Sequence, residues 1–189
     1  MKKRPATKRV PKVKKPDSLD PFRRALTSLG KDDLVGVIVE LARRDRGIQR
    51  ELETRFEVEP PVTELIVNTQ CAISDATDYD ERQINHNFDY DYGAYEAIQR
   101  NFRSLIAAGL IEDVLELSLK LMRDGSHQVE MSDEGLMADD IEECLRVVGN
   151  ALKKSDLSPS RIVAWCDAML KADRVGFIFQ KELEALRKR

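Results

Sequence analysis

Carboxylates and one histidine crowd a single stretch of the sequence, and these side chains are common ligands of divalent cations. The stretch contains Asp75, Asp78, Asp80, Glu81, His86, Asp89 and Asp91. One hypothesis is therefore a metal-dependent hydrolase that uses the loop 75–91. The spacing of these residues matches no metal-binding motif, however, and a charged loop beside a helix N-terminus explains them as well. We expect Tyr90, Tyr92 and Tyr95 to pack inward beneath such a loop.

Other residues suggest nucleophilic or calcium chemistry only weakly. Ser126 and His127 are adjacent, and Cys71 precedes His86 by fifteen residues, but adjacency in sequence does not assemble a catalytic triad. There is no nucleophile elbow, glycine-rich phosphate loop or dinucleotide fingerprint. The segment EMSDEGLMADDI resembles a calcium loop, but its twelfth position is Ile141 in place of a bidentate glutamate. The sequence therefore predicts a protein that is not an enzyme and holds no metal or cofactor.

The first sixteen residues form a basic arm that contains no acidic side chain. Its eight cations are Lys2, Lys3, Arg4, Lys8, Arg9, Lys12, Lys14 and Lys15. Three prolines interrupt the arm and its like charges repel, so we expect residues 1–16 to be disordered when free. A segment of this kind binds a phosphate backbone by counterion release, without choosing a sequence. We therefore predict that these eight cations contact nucleic acid or another polyanion.

The arm has three other interpretations, which stay open. Its two clusters, Lys2-Lys3-Arg4 and the one that begins at Lys8, resemble a bipartite nuclear-import signal, which matters only in a host with a nucleus. The arm could also be a solubilising tail with no specific partner, or it could fold back on the acidic remainder of the chain.

The remainder of the chain is strongly acidic. The whole protein carries a net charge of −3, so residues 17–189 carry −11 once the arm is set aside. This length is sufficient for one domain with its own core. Because no apolar run reaches the ~20 residues that span a bilayer, we expect a cytoplasmic protein, or a nuclear one in a eukaryote, with no membrane contact. We expect Cys71, Cys144 and Cys166 to be reduced core thiols.

Apolar residues recur at helical spacing from residue 17 to the C-terminus. One stripe, which predicts an amphipathic helix packed on a core, contains Leu34, Val37, Ile38 and Leu41. No segment alternates in the manner of a strand. The predicted fold is therefore all-α, with about eight or nine helices in antiparallel hairpins that form either an α-solenoid-like array or an irregular helical bundle.

Capping and turn residues divide this helical region. The predicted N-caps are Asp20, Asp45, Asp133 and Ser158. We predict one helical domain over residues 17–189, with a subdomain joint near 58–62 and an irregular acidic loop at 78–93. The helix after Gly109 is apolar on several sides, which predicts that it is the central element and that it ends at Gly125.

The run LTSLGKDDLVGVIVELARRDRGIQRELETRF, residues 26–56, resembles the helical segment that accompanies SWIM zinc-finger domains in bacterial proteins. The shared features are a leucine-rich helix, an Arg-Asp turn and a second charged helix. A weaker similarity continues through AYEAIQRNFRSLIAAGLIEDVLELSLKLMRDG and around Trp165 and the segment 173–176. The resemblance implies a helical interaction domain. The Cys-x-Cys and Cys-x-His zinc ligands of the finger have no counterpart here, so the resemblance implies no zinc.

Taken with the charge pattern, these features favour a non-enzymatic helical interaction module. Its acidic body is predicted to contact an unknown protein partner, and its basic N-terminal arm to contact nucleic acid or another polyanion. The metal-dependent hydrolase that would use the loop 75–91 is the alternative.

Overall fold

A computed structural model describes residues 18–58, 60–80, 90–133 and 137–188 of the chain. Within these ranges the regular secondary structure is entirely helical, with no strand, and the all-α prediction is confirmed. The nine helices in these ranges are α1 (Asp20–Thr27), α2 (Lys31–Arg44), α3 (Arg46–Phe56), α4 (Val62–Thr77), α5 (Tyr92–Ala107), α6 (Ile111–Met131), α7 (Ala138–Leu152), α8 (Pro159–Ala172) and α9 (Gln180–Arg187). The predicted disordered arm lies outside the described residues.

The chain divides into two compact units, Met1–Arg44 and Asp45–Arg189. The first unit contains α1 and α2, and the second contains α3 to α9. The joint predicted near 58–62 lies inside the second unit, where it separates α3 from α4.

The described part of the first unit consists of two helices that bury no residue. Pro21 stands in the first turn of α1, where its fixed φ suits a helix start. Asp20 is the predicted N-cap, but Leu19 takes that position and Asp20 belongs to the helix. The predicted packing of α2 on a core is also wrong, since Leu34 is only half-buried and the rest of its stripe is exposed. Helical spacing identifies the apolar side of a helix but not whether a neighbour covers it.

The second unit is a stack of helix pairs. Each of α4, α6 and α8 packs against the helix that follows it, and successive pairs stack, with α4 against α6, α6 against α8, α5 against α7 and α7 against α9. Packing of each helix on its neighbour and on the next helix but one is the pattern of an α-solenoid. The solenoid-like form of the predicted fold therefore describes this unit.

Helix α6 is the central element of the second unit, as predicted. Ten of its residues are buried, and it packs against α4, α5, α7 and α8. Its predicted end at Gly125 is wrong, because the helix continues to Met131. A Cβ atom at Gly125 would lie only 2.7 Å from Ile141 Cδ1, so the glycine permits close approach of α7 and does not terminate the helix.

Side-chain caps fix where three helices of the second unit begin. Asp45 accepts hydrogen bonds from two backbone N–H groups of α3 at 2.8 and 3.1 Å, and Ser158 accepts one from α8 at 3.3 Å. Both predicted caps are thus confirmed, and Asp91 caps α5 in the same way at 2.9 Å. The predicted cap Asp133 is wrong, because α7 starts after Met137 and has no side-chain cap.

Candidate functional site

The first unit presents a set of exposed apolar side chains, which we call the apolar face. It comprises Leu19, Phe22, Leu26, Leu29, Val35, Val37, Ile38, Val39 and Leu41. Their exposed fractions run from 38% at Val37 to 67% at Phe22. Exposed apolar surface of this extent is typical of sites that contact another molecule.

Helix α2 is apolar around more than half of its circumference. At 100° per residue, its apolar side chains from Leu34 to Ala42 cover an arc of roughly 200°. A helix that packs on a core from one side needs an apolar stripe of only about 100°. One neighbouring helix cannot cover the whole arc of α2, so a further surface is required.

The short length of α1 and α2 also indicates that they need a further packing surface. Helix α1 has 8 residues and α2 has 14, whereas isolated helices shorter than ~12–15 residues are marginal in water. Helices in proteins take most of their stability from packing of an apolar face. Because neither helix buries a residue, α1 and α2 need an apolar surface beyond their own two helices to be stable.

The charges of the chain are distributed unevenly about this face. Residues 17–44 contain five acidic and five basic side chains and are neutral overall. Residues 45–189 contain twenty-nine acidic and eighteen basic side chains, a net charge of −11. The whole acidic excess therefore belongs to the second unit, and the basic arm is followed by a neutral apolar segment.

The eight predicted arm cations all lie outside the described residues, in the range 1–17. Their contact with a polyanion stays a prediction. In sequence, α1 and α2 separate the arm from the acidic solenoid of the second unit.

Both ends of the acidic loop are used in ion pairs with arginine. Arg50 Nη1 donates to Asp75 Oδ2 at 2.8 Å, and Arg50 Nη2 donates to Asp91 Oδ2. Arg46 makes a further contact with Asp75 at 3.2 Å. Residues 81–89 of the loop, with three of its seven candidate ligands, lie outside the described residues. Among the residues that the structure does describe, no group of three His, Cys, Asp or Glu side chains is placed to hold a metal ion.

Arg50 is the centre of a polar cluster that connects α3 with α4 and α5. Its side chain is only 12% exposed, and Arg100 on α5 pairs with Glu53 at 3.4 Å and with Thr54 at 2.6 Å. Three arginines and three carboxylates balance in this cluster, so it offers no excess charge to attract an ion. Its geometry is that of an anchor for α3.

An open cavity of about 200 Å³ lies beside this cluster. Asn68, Cys71 and Asn101 line it together with Arg46 and Arg50. Asn101 is only 4% exposed, and a cavity of this size has room for several water molecules or one small polar molecule.

The adjacent Ser126 and His127 take part in separate hydrogen bonds. The Ser126 hydroxyl donates to the carbonyl oxygen of Ala172 at 3.1 Å and accepts from the backbone N–H of Arg174 at 3.2 Å. His127 Nδ1 instead bonds the hydroxyl of Tyr79 at 3.0 Å. The pair therefore has a structural role and does not form a nucleophile and its base.

The three tyrosines predicted to pack inward behave differently from one another. Tyr95 is buried and donates to Gln128 at 3.2 Å, whereas half-buried Tyr90 donates to Asp140 at 2.8 Å. Burial and the hydrogen bond to Asp140 raise the pKa of Tyr90 to about 12. Tyr92 is 54% exposed, so the prediction is wrong for this residue. It occupies the first position of α5, where its side chain points away from the solenoid core.

Comparison with known proteins identifies no matching family model, no similar curated protein and no similar solved structure. The resemblance of residues 26–56 to the helical segment beside SWIM fingers therefore stays a prediction. Among the described residues, no helix has the length and apolar content needed to cross a membrane.

Motifs and charge in the sequence do not predict the apolar face as a functional site. Its signal in the sequence is Val35 and Val39, which lie beside the expected stripe and widen it far beyond the width that one core contact needs. The ion pairs of Arg50 have no comparable signal, because its partners are 25 and 41 residues away in sequence.

Proposed function

We propose that this protein is a non-enzymatic helical interaction module. In this proposal the apolar face of α1 and α2 contacts protein, and the basic arm contacts nucleic acid or another polyanion. The acidic solenoid of α3 to α9 is the scaffold that carries both.

The observation that carries the proposal is the apolar face itself. Seven large apolar side chains on two helices that bury no residue, with Leu19 and Leu29 beside them, amount to a surface that is unfavourable in water and favourable against a protein partner. The solenoid arrangement of the second unit is compatible with this role, because stacked helix pairs commonly serve as binding scaffolds.

Electrostatics support the role of the arm. A second unit at −11 repels phosphate, so any attraction to nucleic acid has to come from the eight arm cations. If about four to six of them engage phosphates, the affinity should fall with salt with a log–log slope of about −4 to −5.

Binding of mixed-sequence duplex DNA and RNA, measured by fluorescence anisotropy over a salt series, tests this role. We expect weak binding by the full chain and none after deletion of residues 1–16. Replacing Lys12, Lys14 and Lys15 by alanine should weaken binding to all sequences alike and flatten the slope by up to about 3 units. Undiminished binding by the truncated chain would contradict the role of the arm and point to a different basic surface.

The alternative, a metal-dependent hydrolase, has less support from the described residues. Asp75 and Asp91 at the ends of the acidic loop are already paired with Arg50. Calorimetric titration with magnesium, manganese and zinc separates the two functions, because the interaction module should show no stoichiometric binding of any of these ions.

A further inference from the structure

We infer that the apolar face is covered by the same face of a second copy of this chain. This inference rests on the proposed function, since it names the protein that the apolar face contacts. The observations that support a second copy are the amount of exposed apolar surface and the neutral charge of the segment that carries it.

The exposed apolar surface is large enough for a stable dimer. Its nine side chains are on average about half exposed and together present roughly 600–800 Å² of accessible surface, close to the ~800 Å² that each partner buries in a standard interface. Because residues 17–44 carry no net charge, two copies of this segment meet without electrostatic repulsion.

The arm of the same chain is a poor occupant of the apolar face. Residues 1–16 contain eight cations but only Val10 and Val13 as branched apolar side chains. Covering an arc of roughly 200° on α2 requires far more apolar surface than two valines provide.

Sedimentation velocity of the full chain, from about 1 to 200 µM, tests the inference because self-association follows mass action. The expected result is a shift from the monomer mass of 21.6 kDa towards twice that mass. Val35→Glu should raise the dissociation constant of the dimer by about 100-fold or more, since it buries an unpaired charge. Val67→Glu is the matched control, because Val67 on α4 is similarly exposed, at 58% against 50% for Val35, and it should leave the dimer intact.

A chain that stays monomeric at about 200 µM would overturn the inference, and hydroxyl-radical footprinting of Phe22 then distinguishes the two possible failures. If Phe22 reacts as an exposed residue in the monomer, the face is open to a different protein, and the proposed function survives. If Phe22 is protected in the monomer, the face is covered within the chain, and the proposed function fails as well.

Discussion

The side chain of Arg50 connects three helices of the second unit, namely α3, α4 and α5. Its guanidinium pairs with Asp75 at the end of α4 and with Asp91 at the start of α5, while its backbone belongs to α3. The two carboxylates are 26% and 37% exposed, so water can partly solvate them if the arginine is removed. The structural cost of losing Arg50 is therefore substantial but smaller than for a fully buried ion pair.

Arg50→Ala should lower the free energy of unfolding of the full chain by about 1–3 kcal/mol. Urea denaturation followed by circular dichroism measures this change. Arg123→Ala is the control, because Arg123 is 64% exposed and pairs with Asp124 at the surface, and it should cost less than about 0.5 kcal/mol. Equal losses in the two variants would show that Arg50 does not anchor α3.

The three cysteines differ in their surroundings, and their reactivity should differ accordingly. Cys144 and Cys166 are fully buried, and burial raises the pKa of both thiols, to about 11 for Cys166. Cys71 is half-buried and lines the open cavity beside Arg50. At a pH of about 8 a maleimide should therefore label Cys71 in the native protein, while the other two react only when the protein unfolds. Peptide mapping by mass spectrometry checks this order, and labelling of Cys166 as fast as Cys71 would contradict its burial.

At the residue scale, the sequence predicts features that depend only on neighbouring residues, such as helix caps. The caps at Asp45 and Ser158 follow from the preference of Asp and Ser for helix starts, and both are found. Gly125 misleads because a glycine inside a helix can serve either as a terminator or as a point of close contact, and its sequence neighbours do not distinguish these. The partners of Arg50 depend on the tertiary fold, so no local rule can supply them.

At the scale of the element, α6 is a helix whose burial is correctly predicted by its helical spacing. Apolar residues on several of its sides predict a helix covered by several neighbours, and four neighbouring helices surround it. On α2 a similarly broad apolar arc predicts burial, yet no residue of α2 is buried. The same pattern therefore occurs on a helix in the core and on a helix whose apolar side is exposed, and periodicity alone does not separate the two.

Leu117→Ala in α6 should destabilise the second unit by about 2–5 kcal/mol, because the truncated side chain leaves a cavity in a packed core. Leu117 is only 4% exposed. Glu112→Ala on the same helix removes an exposed ion pair with Arg161 and should cost about 1 kcal/mol at most. Thermal or urea unfolding of both variants measures the difference, and similar losses would mean that the register of α6 is wrong.

At the scale of the whole molecule, charge separates the chain into three successive parts. A basic arm of eight cations precedes a neutral apolar pair of helices, and an acidic solenoid follows. The division between arm and acidic remainder is visible in the sequence. The neutral segment becomes visible only once the structure divides the chain at Arg44 and Asp45, because composition over residues 17–189 averages the two units together.

Association through the apolar face also affects the expected binding of the arm. A dimer carries two arms, and two tethered binding segments bind one polyanion more tightly than either does alone, provided that both can reach it. The apolar face and the basic arm are thus parts of one proposed interaction function.

The central claim is that α1 and α2 are stabilised by contact with another protein chain, and amide hydrogen exchange of the full chain tests it most directly. In the Val35→Glu variant at about 1 µM, amides of α1 and α2 should exchange within about tenfold of unprotected rates, while those of α5 and α6 stay protected by about 10⁴-fold or more. Wild-type protein at about 100 µM should show clear protection of α2, with no change in α5. Strong protection of α2, equal to that of α5, in the dilute Val35→Glu variant would contradict the claim.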